Sequence, residues 1–225
     1  MERILIIGAG PQARGIPDVV AACGNIELLG FVDVADERHF LVGDAARFPI
    51  YDGALFPAEL KARLGAFSVL IGHDAALRPK LIAQVKEAGL PLANIIHPSA
   101  IVSPSARLGR GILVLPGVII SPGVSLGDHA VLNTAATLDH DSVLEENVIL
   151  GPGVRLAGHV RVKSGTMVGI GACAVPAVTI GANCLIGAGS VITKDVPDNV
   201  IAAGVPAKVI RRREQGMGGE ADSPV

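Results

Sequence analysis

From Ile96 to Pro197 the chain repeats a pattern of hydrophobic and polar positions every six residues without interruption. One position of each hexad is aliphatic in all seventeen repeats, and the position four residues later is small or β-branched. The aliphatic series is Ile96, Val102, Leu108, Val114, Ile120, Leu126, Leu132, Leu138, Leu144, Leu150, Leu156, Val162, Val168, Ala174, Ile180, Ile186 and Ile192. A fixed short period of this kind is typical of a parallel β-helix, in which each hexad supplies a short strand and a turn.

Three hexads are expected to close one triangular coil of 18 residues, with the large aliphatic side chain inside and the small residue at the corner. Coils stack at the strand spacing of about 4.8 Å, so about 100 residues build a rod of roughly 27 Å. A β-sandwich is the alternative fold, but sandwiches have loops of varying length, and seventeen hexads in phase argue against one. Spacing alone leaves the handedness of the helix open.

The period changes in the first 94 residues, where strands alternate with helices. The segment from Ile4 to Ile7 is a buried strand, a glycine turn follows it, and a helix runs through Val19 to Cys23. Further strands end at Asp33 and span 67–72, and a helix ends at Gly89. This alternation predicts a small, Rossmann-like parallel α/β sheet. We therefore expect an α/β domain over 1–94, a β-helix domain over 95–213 and a disordered tail over 214–225, which has no apolar pattern.

The glycine turn of the first domain matches G-x-G-x-x-A, from Gly8 through Gly10 to Ala13, and Asp33 follows about 20 residues later. In nucleotide-binding folds, this pattern places a phosphate at a helix N-terminus and a ribose hydroxyl on the carboxylate. The domain has half the size of a dinucleotide-binding fold, which favours a mononucleotide-type site. The alternative is a tight turn in which Asp33 only caps a strand end.

Composition narrows the classes of function. Half of the 225 residues are hydrophobic, yet aromatic residues make up 3% and tryptophan is absent, which suits a core of stacked aliphatic side chains. The net charge of −2 gives no reason to expect nucleic-acid binding. We expect no membrane insertion, because no apolar run reaches the ~20 residues of a span and Met1 leads almost directly into a strand. Three scattered cysteines form no disulfide framework and suggest a reducing cytoplasm.

The 18-residue coil length predicts which polar residues stack on one another, because residues 18 positions apart lie on successive coils. It stacks Gly158 on His140 and His159 on Asp141. An imidazole at the edge of the rod, beside a carboxylate and under a glycine amide, has the parts for acyl transfer: a general base, a group that fixes its tautomer, and an N–H for the oxyanion. The alternative for a histidine on a turn is solvated polar surface.

Longer stretches resemble the NeuD-type left-handed β-helix sugar acetyltransferases, a group that includes the bacillosamine-pathway and perosamine N-acetyltransferases. The similar segments are IIGAGPQAR, GFVD, IIHPSAIVSPSA, VLNTAATLDHDSVL, GPGVRLAGHVRV, GIGA and AAGVPAKVI. The resemblance implies a left-handed helix, a homotrimer with active sites between neighbouring subunits, and direct transfer of acetyl from acetyl-CoA in glycan biosynthesis. It also implies that His140 is the general base, Asp141 its orienting acid, and Gly158 the amide that contacts the acetyl carbonyl.

For the coenzyme, the resemblance implies a groove between two rods and no metal ion. The residues implied there are small residues on two successive coils, a C-terminal segment for the adenine end, and His159. These are Gly169, Gly171, Ala172, Gly187 and Ala188, then Gly204, Pro206, Ala207 and Lys208. Lys194 and 211–213 add positive charge that suits a phosphate-bearing ligand, although a solvated tail is the alternative for the three arginines.

The sugar substrate is expected at Asn133, and its nucleotide at Gly10, Gln12, Ala13 and Asp33. Two positions depart from the family pattern. Pro11 opens a stretch where relatives carry a Gly-His-Gly-like sequence, and proline lacks a backbone donor. Ile149 stands where many relatives have a histidine, so any contact of that histidine is missing or is supplied otherwise, for example by His159.

These observations favour an acetyl-CoA-dependent N-acetyltransferase that acts on the 4-amino group of a nucleotide-linked 4-amino-4,6-dideoxy sugar. One alternative is O-acetylation of a sugar or sialic acid hydroxyl by the same residues. The other is a non-catalytic β-helix that serves as a binding or scaffold protein. A metal site in such a protein needs converging histidines, and the sequence offers only His140 and His159 without a clear third ligand.

Overall fold

The structure is a computed structural model that describes residues 1–34, 41–55, 58–72 and 77–213. The chain divides into two compact units, Met1–His97 and the segment from Pro98 onward, so the division falls slightly after the expected boundary at residue 94. A small parallel α/β sheet is followed by a left-handed parallel β-helix, as predicted. The predicted disordered tail, 214–225, lies outside the described residues. In the part of the chain that is described, no helix is long and apolar enough to cross a membrane.

The first unit contains a four-stranded sheet in the order β3-β2-β1-β4, with all three pairings parallel. Its strands and α-helices are β1 (Glu2–Ile7), α1 (Ile16–Cys23), β2 (Ile26–Asp33), β3 (Ile50–Asp52), α2 (Ala58–Leu64), β4 (Ser68–Ile71), α3 (Arg78–Glu87) and β5 (Ile95–Ile96). Short 3-10 helices span Pro11–Gly15, Gly43–Arg47 and Gly53–Leu55. The sequence predicts β1, α1, β2, β4 and α3, whereas β3 and α2 were not expected. The central strand β1 is fully buried from Ile4 to Ile7, because helices and neighbouring strands cover it.

The β-helix of the second unit consists of two-residue strands joined by four-residue turns. These strands are β6 (Ile101–Val102), β7 (Arg107–Leu108), β8 (Leu113–Val114), β9 (Ile119–Ile120), β10 (Ser125–Leu126), β11 (Val131–Leu132), β12 (Thr137–Leu138), β13 (Val143–Leu144), β14 (Ile149–Leu150), β15 (Arg155–Leu156), β16 (Arg161–Val162), β17 (Met167–Val168), β18 (Cys173–Ala174), β19 (Thr179–Ile180), β20 (Leu185–Ile186) and β21 (Val191–Ile192). An antiparallel hairpin of β22 (Val200–Gly204) and β23 (Ala207–Arg212) follows.

The strands β6 to β21 stack in three sheets with parallel pairing, and each strand from β6 to β18 pairs with the third strand after it. Leu132, for example, lies opposite Leu150, which is 18 residues later. The predicted coil length is therefore confirmed. The aliphatic positions from Val114 to Ile192 are at most 6% exposed, so the repeat forms one continuous core.

Polar residues at two corner positions satisfy the backbone inside this core. The fully buried Ser142 hydroxyl donates to the Ala157 carbonyl at 3.0 Å and accepts the Val160 N–H at 3.2 Å. Thr166 uses its hydroxyl in the same way, 24 residues further along the chain. Buried hydroxyls are therefore tolerated at the corners because they pair with the next coil.

Every sixth residue from 111 to 189 has a left-handed backbone, with φ between 51° and 74°. The series is Gly111, Gly117, Gly123, His129, Ala135, Asp141, Asn147, Gly153, His159, Gly165, Gly171, Ala177, Asn183 and Gly189. This conformation suits glycine and, less well, asparagine and aspartate, and it disfavours other side chains. The turn geometry thus fixes the backbone on which two of the candidate site residues stand, Asp141 and His159.

Candidate active site

The candidate catalytic residues lie on two stacked turns of the β-helix. The lower turn, 139–142, joins β12 to β13, and the upper turn, 157–160, joins β15 to β16. The His159 N–H donates to the His140 carbonyl at 2.9 Å, which locks the upper turn onto the lower one. The predicted stacking of Gly158 on His140 and of His159 on Asp141 is therefore present.

His140 and Asp141 form a hydrogen-bonded pair at the surface. The Nδ1 atom of His140 lies 3.0 Å from Oδ2 of Asp141, and both side chains are slightly more than half exposed. This hydrogen bond raises the pKa of His140, with a smaller contribution from the charge of Asp139, and it lowers the pKa of Asp141. In the neutral ring, Nδ1–H donates to the carboxylate, so Nε2 carries the lone pair and is the basic atom.

Gly158 leaves the space that the His140 ring occupies. A Cβ at residue 158 would lie 2.6 Å from Nε2 and 2.7 Å from Cε1 of His140. The equivalent turn position is proline at Pro104, Pro122 and Pro176, so glycine here also keeps a backbone N–H. Within the described residues, that N–H donates to no protein group. A basic nitrogen and an available N–H donor therefore adjoin each other.

A second glycine, Gly123, makes room for Asp141 in the way that Gly158 makes room for His140. A Cβ at Gly123 would overlap Oδ1 of Asp141, so this glycine makes room for the carboxylate. The sequence analysis missed Gly123, although the signal was available. Residue 123 lies 18 positions before Asp141 and therefore one coil below it, by the same spacing that stacks Gly158 on His140.

His159 lies against the pair. Its Nε2 is 3.9 Å from Oδ2 of Asp141, and its ring contacts the ring of His140 edge to face, with centroids 5.0 Å apart. Potential ligand atoms of the three residues all lie within 4.8 Å of one another, a grouping that could hold a metal ion. The sequence analysis saw no third ligand beside the two histidines, and Asp141 occupies that position here. Its Oδ2 is already the hydrogen-bond partner of His140.

Asn133 belongs to a different corner of the coil. It follows β11, and its side-chain amide donates to the Leu150 carbonyl of the next coil at 2.8 Å. This amide N–H is used by the backbone, and the expected contact with a sugar stays a prediction.

The small residues of the expected coenzyme groove have structural roles of their own. A Cβ at Gly169 would lie 2.7 Å from the Ala188 nitrogen, and one at Gly187 would lie 2.6 Å from the Ala203 Cβ. Ala172 is fully buried at an inward corner position. The missing side chains at 169 and 187 therefore allow the coils to stack, and the expected coenzyme contacts of these residues stay predictions.

The other groove residues present open surface. Nothing lies within 4 Å of a Cβ built at Gly171, and Ala188 is exposed. Gly204, Pro206 and Lys208 are exposed on the hairpin of β22 and β23. The coenzyme contacts of all these residues stay predictions.

The first unit has a cavity of about 410 Å³ at the carboxyl ends of β2 and β3. Its charged and polar lining consists of Asp33, Asp52, Lys80 and Gln84, with Leu81 among the apolar residues. In open parallel sheets, ligands bind at this edge. Of this lining, only Asp33 was expected from the sequence. Asp52 was missed because β3 is only three residues long and no pattern marks it. Lys80 lies on the predicted helix α3, but nothing in the sequence relates it to Asp33.

The glycine turn is separate from this lining. Gly10 precedes the 3-10 helix Pro11–Gly15, and Ala13 is fully buried. Neither residue lines the cavity. The backbone of Gln12 belongs to that 3-10 helix, and its side chain is outside the described part of the chain. Among the residues expected to bind a nucleotide whose side chains are described, only Asp33 therefore lines the cavity.

Comparison with solved structures identifies similar proteins over nearly the whole chain. One is a histidine-to-asparagine variant of perosamine N-acetyltransferase from Caulobacter crescentus in complex with CoA and GDP-perosamine. It is 37% identical, with a TM-score of 0.83, over 93% of this chain and 97% of that chain. Another is the acetyltransferase domain of PglB from Neisseria gonorrhoeae in complex with acetyl coenzyme A. It is 32% identical, with a TM-score of 0.82, over 93% of this chain and 99% of that one.

Comparison with curated sequences finds shorter matches. Galactoside O-acetyltransferase of Escherichia coli is 69% identical over 36 residues, which is 16% of this chain and 18% of that protein. The chain thus matches less than a fifth of the length of this curated relative. No family model matches the sequence.

Proposed function

The chain belongs to the NeuD-type left-handed β-helix sugar acetyltransferases, and we propose that it transfers acetyl from acetyl-CoA to the 4-amino group of a nucleotide-linked 4-amino-4,6-dideoxy sugar. The observation that carries this proposal is the juxtaposition of His140 Nε2 with Gly158, whose N–H donates to no group within the described residues. The two stacked turns thus offer a base for the attacking amine and a donor for the acetyl oxygen.

The proposed reaction needs no acyl-enzyme. The lone pair of the sugar amine attacks the thioester carbonyl carbon while Nε2 of His140 takes a proton from the amine nitrogen. The Gly158 N–H binds the oxyanion of the tetrahedral intermediate, a contact of roughly 3 kcal/mol in such sites. When the carbon–sulfur bond breaks, the CoA thiolate leaves and accepts the proton from His140. The ring returns to its neutral form with Nδ1–H on Asp141.

We place acetyl-CoA in the groove between two rods of a homotrimer. The complexes of the two similar proteins with CoA and acetyl coenzyme A support the co-substrate. Support for association comes from apolar side chains on the coils that are more than a third exposed in the single chain, such as Ile119, Ile170 and Val175. Gly171, Ala188, Gly204, Pro206 and Lys208 remain the proposed coenzyme contacts on open surface. Three free cysteines and an acetyl-CoA co-substrate fit a cytoplasmic enzyme.

The nucleotide of the substrate is proposed to bind in the cavity of the first unit. The cavity volume of about 410 Å³ lies in the range of small-molecule sites. The carboxylates of Asp33 and Asp52 suit ribose or base donors, and Lys80 suits a phosphate. The GDP-perosamine complex of the similar Caulobacter protein supports this class of substrate.

O-acetylation is the second candidate, because the curated relative with the 36-residue match is a galactoside O-acetyltransferase. The same residues would serve in it. A hydroxyl is a weaker nucleophile than a neutral amine, so its acetylation would depend more steeply on His140.

A substrate panel tests the proposal. Purified protein is incubated with acetyl-CoA and UDP-, GDP- or dTDP-linked 4-amino sugars, and the release of free CoA is followed. Matched nucleotide sugars with a 4-hydroxyl serve as controls. We expect CoA release with at least one amino sugar and none with its hydroxyl analogue. CoA release with the hydroxyl compounds alone would favour O-acetylation. No CoA release with any compound of the panel would contradict the proposal.

A further inference from the structure

His159 occupies a position that the fold gives no reason to fill with histidine. Its backbone has φ of 59°, a conformation that costs a non-glycine residue roughly 1 kcal/mol. Most turns carry glycine, asparagine or alanine at this step, as at Gly165, Asn183 and Ala177. The other histidine there, His129, is buried, whereas His159 is exposed. The side chain is 60% exposed and therefore adds little to the core. A strained, exposed residue against a candidate site points to a role in that site.

His140 and His159 both approach the same carboxylate oxygen of Asp141. Oδ2 of the carboxylate lies 3.0 Å from Nδ1 of His140 and 3.9 Å from Nε2 of His159. The two rings meet edge to face at an interplanar angle of 88°, a preferred geometry for aromatic pairs. Both histidines thus adjoin the carboxylate, and Gly123 makes room for it.

We propose that His159 is a positioning residue, which holds the Asp141 carboxylate and the edge of the His140 ring so that Nε2 stays directed at the reacting amine. This inference rests on the proposed function, because it assigns His159 to the same reaction. It differs from the expectation that His159 contacts the coenzyme. His159 itself exchanges no proton with the substrate.

The arrangement also couples the two rings electrostatically. The groups that face His140 are Asp139, Asp141 and His159. The hydrogen bond of His140 and the smaller coulombic attraction to His159 both lower the pKa of the shared Asp141 carboxylate. Without His159, the Asp141 carboxylate interacts with His140 as its only histidine partner. We therefore expect the pKa of His140 to rise.

Three variants test the role of His159. His159→Gly removes the side chain at a left-handed position that glycine accepts, so the fold is retained. His159→Gln restores an N–H donor near Asp141 without a titrating ring. Ala177→Gly is the matched control, because Ala177 has the same backbone conformation one coil further along. We expect kcat to fall about tenfold in His159→Gly, with KM for both substrates unchanged. His159→Gln should recover much of this loss, and Ala177→Gly should behave as the unaltered protein does.

An NMR titration of the histidine rings gives a second readout that needs no activity. The pKa of His140 should rise in His159→Gly and stay constant in Ala177→Gly. Unchanged kcat and an unchanged titration in His159→Gly would overturn the inference. A rise in KM for acetyl-CoA alone would also overturn it and would make His159 a coenzyme contact. If the protein acetylated no amino sugar, the proposed function would fail, and the titration would still decide whether the two rings share Asp141.

Discussion

At the scale of single residues, the absence of side chains matters as much as their presence. A Cβ at Gly158 would lie 2.6 Å from His140 Nε2, and one at Gly123 would overlap the Asp141 carboxylate. The 18-residue spacing predicted which residues meet. It gave no information on which atoms meet, because ring orientation depends on side-chain torsions that no repeat encodes. The spacing predicted that His159 meets Asp141, for example, and the structure adds that Nε2 of His159 lies 3.9 Å from Oδ2 of the carboxylate. The expected coenzyme contact of His159 stays a prediction.

The pH dependence of acetyl transfer should report the hydrogen bond between His140 and Asp141. Because the neutral ring is the base, activity rises with pH through the pKa of His140, which Asp141 raises. Asp141→Asn should lower kcat and move this rise toward lower pH. The measurement is kcat against pH for both proteins. A rise that stays in place, or moves to higher pH, would show that Asp141 does not set the basicity of His140.

Gly158→Ala should displace the imidazole ring without unfolding the rod. The added methyl group would lie 2.6 Å from Nε2 and force the ring to shift, and a misplacement of about 1 Å can lower the rate about 100-fold. Gly153→Ala is the control, since a Cβ there meets nothing within 4 Å and alanine occupies the same backbone conformation at Ala135. Steady-state kinetics and thermal melting of both variants test this. Equal kcat in the two variants would contradict the proposed placement of the ring.

At the scale of elements, the hexads predict the β-helix almost completely, because each strand requires an inward aliphatic residue and each turn a small residue at its corner. Of the first unit, the long buried strands and the helices with clear periodicity could be predicted. The three-residue β3 and the helix α2 could not, since Ile50–Asp52 is too short for a pattern. The missed strand contributes Asp52 to the cavity, so the proposed nucleotide site was predicted only in part.

The glycine stack of 151, 169 and 187 should prove structural. At Gly169 a Cβ would lie 2.7 Å from the Ala188 nitrogen and from the Ile186 oxygen, within the hydrogen-bonded ladder. Gly169→Ala should therefore lower the free energy of unfolding by about 1–3 kcal/mol. At Gly171 a Cβ meets nothing, so Gly171→Ala should cost only the backbone strain of roughly 1 kcal/mol. Denaturant unfolding compares the two, and a milder effect at 169 than at 171 would refute the structural role.

At the scale of the whole molecule, the two units have separate roles in the proposed reaction. The β-helix carries the candidate catalytic pair and the proposed coenzyme contacts, and the first unit carries a cavity with charged walls. The family resemblance stated from sequence motifs is confirmed by similarity over 93% of the chain. The identity of the nucleotide was beyond the sequence, because a cavity built partly from short, irregular segments leaves no periodic trace.

Asp33→Ala tests this division. The carboxylate lines the cavity, so its loss should raise KM for the sugar nucleotide about tenfold or more and leave KM for acetyl-CoA unchanged. Glu27→Ala serves as a control on the same strand, since Glu27 is exposed and lies outside the cavity lining. If KM for both substrates rose together in Asp33→Ala, the first unit would not be a separate nucleotide site.

The central claim is that His140 is the general base of an acetyltransferase. The most direct measurement is the kcat for acetyl-CoA-dependent acetylation of the preferred amino sugar by His140→Ala, compared with the unaltered protein. The side chain is more than half exposed, so the variant should melt at the same temperature. Its kcat should fall by a factor of about 100 or more, because the proton of the attacking amine loses its acceptor. Near-normal turnover by a folded His140→Ala protein would contradict the account.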